Sequence, residues 1–224
     1  MSHRILTLIG IACLLTLGSW FGARAYRRAD LNSRLTELAA RDVALIEPVM
    51  RIEADNISMK FDDLFAMCDR VFETEANLVS DASGYRPEIS SPFRTVLIEH
   101  LKDEASFVRA KRDVYRGELE TTNLVMDFSD VGDFSDNGMR RFRRRMIETD
   151  SAYGSLGTSI ARYKEAFAKA EASERTLANY CRSEICGKLF AKFKDANLKH
   201  IEGPEAEVKR RMDRMMEREK RNSR

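Results

Sequence analysis

The spacing of apolar residues restricts the fold most, because after residue 28 they recur in alternating steps of four and three. Such spacing places them on one face of a helix and is typical of coiled-coil-like packing. Two-residue hairpin turns flanked by alternating branched residues, which indicate strands, do not occur in the sequence. The sequence therefore predicts an all-α protein, in which long helices pack as an elongated antiparallel bundle.

Gly, Pro and small polar residues divide the periodic sequence into helices. Loops are expected at residues 80–92 and 127–138, so that three long helices follow the N-terminal segment. Pro48 should kink or restart the first of them, because proline lacks a backbone donor and its ring obstructs the preceding turn. Two polar residues on the first apolar seam, Asp42 and Asn56, are expected to fix the register of packing.

The periodic pattern is interrupted again at Gly203 and Pro204, which we expect to break the chain. A last basic amphipathic helix then covers residues 205–221, with methionines on one face. We accordingly divide the chain into an anchor or signal segment, a helical bundle domain and a basic C-terminal helix or tail, at residues 1–28, 29–203 and 204–224.

An uncharged stretch of 19 residues, from Ile5 to Ala23, lies near the N-terminus. At about 1.5 Å per residue, such a helix just crosses the hydrocarbon core of a bilayer. One interpretation is a single-pass membrane anchor. Its interface would consist of the aromatic and arginine side chains Trp20, Phe21, Arg24, Tyr26, Arg27 and Arg28. The other interpretation is a signal peptide that is cleaved after Ala25, where a small-x-small pattern occurs.

These interpretations bear on the compartment of the bundle. Several arginines follow the uncharged stretch and only Arg4 precedes it, so the positive-inside rule favours a cytoplasmic bundle, with an exported one as the alternative. Cys181 and Cys186 are five residues apart and could form a disulfide if a helix ends between them. That disulfide could form in an exported domain, and free thiols are expected in the cytoplasm.

The net charge of +2 conceals an acidic and a basic part of the chain. Residues 29–138 carry a net charge of −11, and residues 139–224 carry +9. Either the acidic helices pack against the basic helix, or two solvated faces differ in charge. Because the whole chain is nearly balanced, it lacks the basic character of a nucleic-acid-binding protein.

Two charged clusters meet at the boundary between these parts. Aspartates recur at every third residue: Asp127, Asp130, Asp133 and Asp136. They could bind Ca²⁺, although their spacing is not that of an EF-hand. The favoured interpretation is a polar connector in which Asp136 or Asn137 caps the next helix. A run of arginines follows that could contact an anionic lipid or a partner, or simply form a solvated face. It consists of Arg140, Arg141, Arg143, Arg144 and Arg145.

Motifs of catalysis are missing from the sequence, since HExxH, a P-loop and GxSxG do not occur. The histidines at 100 and 200 lack a Glu three residues earlier, so a di-iron site is not predicted. His100 is interpreted as a charged surface residue and Cys68 as a buried free thiol.

We therefore expect a non-enzymatic, membrane-tethered helical scaffold or accessory subunit without a cofactor. It would be attached to the membrane through residues 5–23 and would bind a protein partner or a second copy through its helical seams. The alternative is an exported helical binding domain, periplasmic or secreted, that is released by cleavage after Ala25.

Overall fold

The computed structural model describes residues 3–54, 61–126 and 135–222, with side chains from residue 16 onward apart from a few positions. These ranges contain helices and no strands, which confirms the all-α prediction. The helices are α1 His3–Ala54, α2 Phe61–Gly84, α3 Pro92–Met126, α4 Asp136–Leu177, α5 Ser183–Cys186 and α6 Leu189–Asn222.

The five long helices alternate in direction, and this order follows from the residues that meet. α1 and α2 are antiparallel, since Asp30 near the start of the α1 core pairs with Arg86 just after α2, at 2.7 Å. α3 and α4 are antiparallel as well, because Gly117 late in α3 lies against Leu156, in the first half of α4. α6 in turn runs antiparallel to α4, and its first residue lies beside Glu174, near the end of α4.

Two apolar clusters make up the interior of the bundle, one at each end. The cluster nearer the N-terminal end contains Leu31, Leu35 and Leu38 of α1 with residues of α2, α3 and α4. The larger cluster lies toward the other end and includes Phe107, Phe167 and their neighbours. Burial of these side chains supplies the main driving force for packing the amphipathic helices.

A layer of buried polar side chains lies between the two apolar clusters. Its members are charged or titratable residues that take apolar positions in the helical pattern of α1, α2, α3 and α4. They are Asp42, Glu75, His100, Glu104 and Glu174.

Prolines do not interrupt the helices where the sequence pattern predicted it. α1 continues past Pro48 to Ala54, because Val49 and Met50 are fully buried in the larger apolar cluster. The expected break at Gly203 and Pro204 is wrong too, since both residues lie inside α6.

The continuation of α6 past Pro204 has a packing reason. Val208 lies so close to Gly157 of α4 that a β-carbon on this glycine would stand 2.8 Å from a Val208 methyl group. Lys164 of α4 also forms an ion pair with Glu205, one residue after the proline. Ile201, three residues before the proline, is fully buried as well, so contacts on both sides of Pro204 hold the helix together despite the missing backbone donor.

Candidate functional site

The predicted membrane segment begins α1, and the side chains of residues 3–15 lie outside the described part. Among the described residues, a search for a helix of sufficient length and hydropathy to cross a bilayer finds none. The span therefore stays a prediction. From residue 16 to residue 29, every described side chain is exposed, including Trp20, Phe21 and Tyr26. Arg24 lies over the Trp20 ring, 5.4 Å from its centroid.

A groove separates this exposed part of α1 from the loop between α2 and α3. It has a volume of about 380 Å³ and is lined by Trp20, Arg24, Arg28, Glu88 and Ser90, among others. Guanidinium groups with a neighbouring indole ring and a hydroxyl group suit an anionic headgroup at a membrane surface.

Cys181 and Cys186 lie close enough for a disulfide, with their Cα atoms 6.1 Å apart. α4 ends at Leu177, before both cysteines, and α5 begins at Ser183, between them, so the two side chains do not share one continuous helix. Cys68 is a buried free thiol, as expected.

The acidic loop and the arginine run differ in part from their expected structure. Asp127, Asp130 and Asp133 lie outside the described residues. The cap of α4 is Ser135, whose hydroxyl accepts a hydrogen bond from the Gly138 amide at 3.2 Å, so neither Asp136 nor Asn137 caps this helix.

The first turns of α4 are largely exposed. Met139 is exposed, and Phe142 and Met146 are only partly buried, because α3 and α6 cover α4 fully only from about Thr149 onward. Arg140, Arg143 and Arg144 are exposed, and Arg144 forms an ion pair with Glu148.

His100 is buried in the polar layer with 1% of its surface exposed, so its interpretation as a surface residue is wrong. It lies one helical turn before Glu104, and its Nε2 atom is 3.2 Å from Glu104 Oε1. Asp42 approaches from α1, with Oδ2 3.7 Å from the same nitrogen. One ligand atom from each of these three side chains lies within 4.8 Å of the others.

The other imidazole nitrogen of His100 has a hydrogen-bond partner of its own. Nδ1 is 3.0 Å from the hydroxyl oxygen of Ser173 in α4, which is also 3.1 Å from the Ala170 carbonyl. When the hydroxyl donates to that carbonyl, it accepts from His100, and Nδ1 carries the imidazole proton. In this tautomer, the Nε2 lone pair faces the two carboxyl groups.

The carboxyl groups of the layer lack most of the hydrogen bonds that they need. Within the described part of the chain, both oxygens of Asp42, both of Glu75 and Glu104 Oε2 are buried and have no nitrogen or hydroxyl donor. Asp42 and Glu104 lie within hydrogen-bond reach of each other, but that bond requires a proton on one of the two carboxyl groups. Glu174 differs, because its Oε1 accepts from the Leu189 amide at the start of α6, at 2.7 Å. This bond places a negative charge at a helix N-terminus, where the helix dipole favours it.

Burial changes the acidity of every group in the layer. Desolvation, followed by the charge of Asp42, raises the pKa of Glu75 to about 9. Desolvation is also the largest cause that raises the pKa values of Asp42, Glu104 and Glu174, and it lowers the pKa of His100. The site therefore needs protons or a cation to compensate its charge.

A second buried polar group lies in the larger apolar cluster. The Lys111 ammonium group donates to the Val49 carbonyl at 2.6 Å and to Asn197 Oδ1 at 2.9 Å. The Tyr163 hydroxyl donates to the same amide oxygen, and the Asn197 amide nitrogen donates to the carbonyls of Met50 and Phe193. Every polar atom of the Asn197 side chain thus has a partner.

Comparison of the chain with protein-family models, with curated proteins and with solved structures gives no match.

Proposed function

We propose that the protein is a non-enzymatic helical scaffold or accessory subunit that is tethered to a membrane by residues 5–23 and binds a protein partner at the membrane surface. The continuity of α1 carries this proposal. One helix, His3–Ala54, leads from the uncharged stretch directly into the bundle, where Leu31 and Leu35 are buried. A tether of this kind sets the position of the bundle relative to the membrane.

The surroundings of the tether are those of a membrane interface. Trp20, Phe21 and Tyr26 are exposed beside Arg24, Arg27 and Arg28, and the adjacent groove suits an anionic headgroup. In contrast, the groups with strongly shifted pKa values are enclosed within the bundle, which favours a binding role over turnover of a substrate.

The partner surface is at the opposite end of the bundle. The apolar seams that could have bound a partner are used within the chain, since Leu38 and Val49 are fully buried. Beyond Tyr115, α3 continues alongside α4 and α6. There Met126 of α3 and Ile147 of α4 are exposed close to the arginine run. Because these side chains are cationic and apolar, the partner that fits them is a protein with an acidic surface.

The length of α1 separates this partner surface from the tether. From residue 30 to residue 54 the helix rises by about 36 Å at 1.5 Å per residue. The arginine run at Arg140–Arg145 therefore lies too far from the membrane at the tether for contact with its lipids, provided that the bundle stands upright. This argument favours a protein over a lipid at that end.

The tether is tested with the full chain in its native membranes. Extraction at alkaline pH should leave the full chain in the membrane fraction, whereas a chain without residues 1–28 should become soluble. An intact mass that lacks residues 1–25 would replace the tether by the exported alternative. A full-length, folded chain in the soluble fraction would refute the tether.

The partner surface is tested by in vivo cross-linking of the full chain, followed by purification in mild detergent. The double substitution R140S/R143S should abolish a cross-linked complex that the wild-type chain forms. R162S/K188S removes two exposed charges elsewhere and should leave the complex intact. Recovery of the wild-type chain alone, monomeric and folded, would contradict the proposal.

The second candidate function is an exported helical binding domain, and the proximity of Cys181 and Cys186, which permits a disulfide, favours it. Disulfides persist in oxidising compartments and are rare in the cytoplasm. Mass spectrometry of the non-reduced protein, trapped with an alkylating agent in intact cells, distinguishes the two compartments. Two alkylated cysteines at these positions favour a cytoplasmic bundle, and a linked pair favours an exported one.

A further inference from the structure

We infer that the polar layer between the two apolar clusters is a metal site, in which Asp42, His100 and Glu104 coordinate one divalent transition-metal ion. This inference goes beyond the proposed scaffold function and does not depend on it. The residues come from α1 and α3, and His100 and Glu104 share a face of α3 because they are four residues apart.

The separations between the ligand atoms are suited to a bound ion. Nε2 of His100 is 3.2 Å from Glu104 Oε1 and 3.7 Å from Asp42 Oδ2. Metal–ligand bonds of about 2.0–2.2 Å in a tetrahedral site place neighbouring ligand atoms about 3.3–3.6 Å apart. A charge-assisted hydrogen bond between nitrogen and oxygen would be shorter, at about 2.7–2.9 Å.

The unpaired carboxyl oxygens are an independent indication of a ligand. Asp42 is 1% exposed, and neither of its oxygens has a donor among the described residues. Buried carboxyl groups in proteins are normally hydrogen-bonded, paired with a cation or bound to a metal. The ammonium group of Lys111, the fully buried cation of α3, is instead bound to Val49 and Asn197.

The orientation of His100 is the one that a metal ligand requires. Nδ1 has Ser173 as its partner, and when Ser173 accepts the Nδ1 proton, Nε2 presents its lone pair to the space between Asp42 and Glu104. Such an outer hydrogen bond, which fixes the tautomer and the ring plane, commonly accompanies histidine ligands. Two carboxylates and a neutral imidazole also balance the charge of a divalent ion, so the ion and its three ligands together would be neutral.

The ligand set identifies the class of metal. One imidazole nitrogen with carboxylate oxygens suits Zn²⁺, Mn²⁺ and Fe²⁺ better than Ca²⁺ or Mg²⁺, which prefer oxygen ligands alone. Glu75 and Glu174 interact electrostatically with these ligands but lie outside the cluster of the three, so water would complete the coordination. By joining α1 to α3, the ion would stabilise the centre of the bundle.

The experiment uses the full chain in detergent, unfolded with a chelator and then refolded with or without Zn²⁺ or Co²⁺. Refolding in the presence of metal gives the ion access to a site that is closed in the folded chain. We expect one equivalent of Zn²⁺ per chain and visible absorption from four-coordinate Co²⁺. At a hundredfold excess of Zn²⁺ over Kd, Tm should rise by about 5–10 °C.

Isosteric variants locate the ion. D42N and E104Q should each weaken Zn²⁺ binding at least tenfold, because each removes a ligand charge without changing the shape of the side chain. E99Q is the matched control, since Glu99 precedes His100 but is exposed. The Zn²⁺ affinity of E99Q should equal that of the wild-type chain. The same holds for D127N/D130N/D133N, which removes three charges of the acidic loop.

The unmutated chain decides the question if the variants fail to fold. Zn²⁺ should shift the Nε2 resonance of His100 in nitrogen NMR spectra and leave Nδ1 protonated. A folded wild-type chain that binds no stoichiometric Zn²⁺ or Co²⁺ would overturn the inference and leave protons as the compensating charge. Full-strength binding by D42N, or its loss in the loop variant, would overturn it equally.

Discussion

The bundle contains two buried polar groups that differ in how completely they are satisfied. Around Asn197, the donors and acceptors of Lys111, Tyr163 and two backbone carbonyls match one another. In the polar layer, three carboxyl groups and the Nε2 lone pair of His100 meet without donors among the described residues. The first group is complete as a protein structure, whereas the second requires a proton or a cation.

The position of the buried lysine sharpens this contrast. Lys111 follows Glu104 by seven residues in α3, which is about 10 Å along the helix axis. Its ammonium group is bound to Val49 and Asn197 and does not pair with a carboxylate of the layer. Four buried acids and one buried lysine thus lie in one bundle without neutralising each other by contact. The hydrogen bonds around Asn197 stabilise the fold, while the missing hydrogen bonds of the carboxyl groups in the polar layer indicate a ligand.

The largest effect is expected from damage to the satisfied group. N197A removes an acceptor of the Tyr163 hydroxyl and one acceptor of the buried Lys111 ammonium group. We expect a loss of about 3–5 kcal/mol in the free energy of unfolding, because an incompletely paired buried charge is costly. Urea unfolding of the full chain in detergent measures it. N123A, at an exposed position of α3, should change stability by less than about 0.5 kcal/mol.

A smaller effect is expected when the charge of the polar layer is titrated in metal-free protein. Between pH 7 and 9, His100 is neutral in the folded and the unfolded chain, since burial lowers its pKa. In this range Glu75, with its pKa raised to about 9, keeps a proton in the folded chain that it loses in the unfolded chain. Stability should therefore fall as pH rises, by roughly 2–3 kcal/mol over these two units.

The neighbours of Glu75 change this slope in the same direction. Burial also raises the pKa values of Asp42, Glu104 and Glu174, so protons that they retain make the decline steeper. E75M should remove much of the slope and stabilise the metal-free chain at pH 8. E73M, on the exposed face of α2, should leave it unchanged. A metal-free chain whose stability is constant from pH 7 to 9 would contradict the raised pKa of Glu75.

The sequence was sufficient to predict the helices, because the four-three spacing of Leu31, Leu35 and Leu38 depends only on local geometry. The sequence pattern overestimated how strongly Pro48 and Pro204 interrupt a helix. Proline propensity is a local property, whereas the burial of Val49 and the contact of Val208 with Gly157 are tertiary. Local rules set the helices, and packing decides where they end.

The polar layer was recognised only at Asp42, which interrupts the seam of α1. A signal for the others existed: Glu75 lies between Val71 and Leu78, at a core position of α2, and Glu104 continues the face of Leu97 and Leu101 in α3. Each acid alone resembles an exposed residue of a charged helix. The relative height of the antiparallel helices brings them to one level, and this height is not encoded in the spacing within each helix.

The smallest effect concerns Ser173, which connects the layer to α4. S173A removes the acceptor of the His100 Nδ1 proton, so a buried donor loses its partner and unfolding should become easier by about 1 kcal/mol. S106A is the matched control, because the Ser106 hydroxyl also donates to a carbonyl within its helix but is exposed. S106A should leave the free energy of unfolding unchanged or raise it slightly, since alanine favours helices.

Nitrogen NMR of the imidazole ring separates this role of Ser173 from simple packing. In the metal-free wild-type chain at pH 8, the Nδ1 nitrogen of His100 should carry the proton, and in S173A the proton should move toward Nε2. A proton on Nε2 would point at Glu104, whereas in the Nδ1-protonated ring the Nε2 lone pair faces the carboxyl groups. An Nε2-protonated ring in the wild-type chain would contradict the assigned tautomer. It would also make His100 a donor to the layer and supply one of the partners that Asp42 and Glu104 now lack.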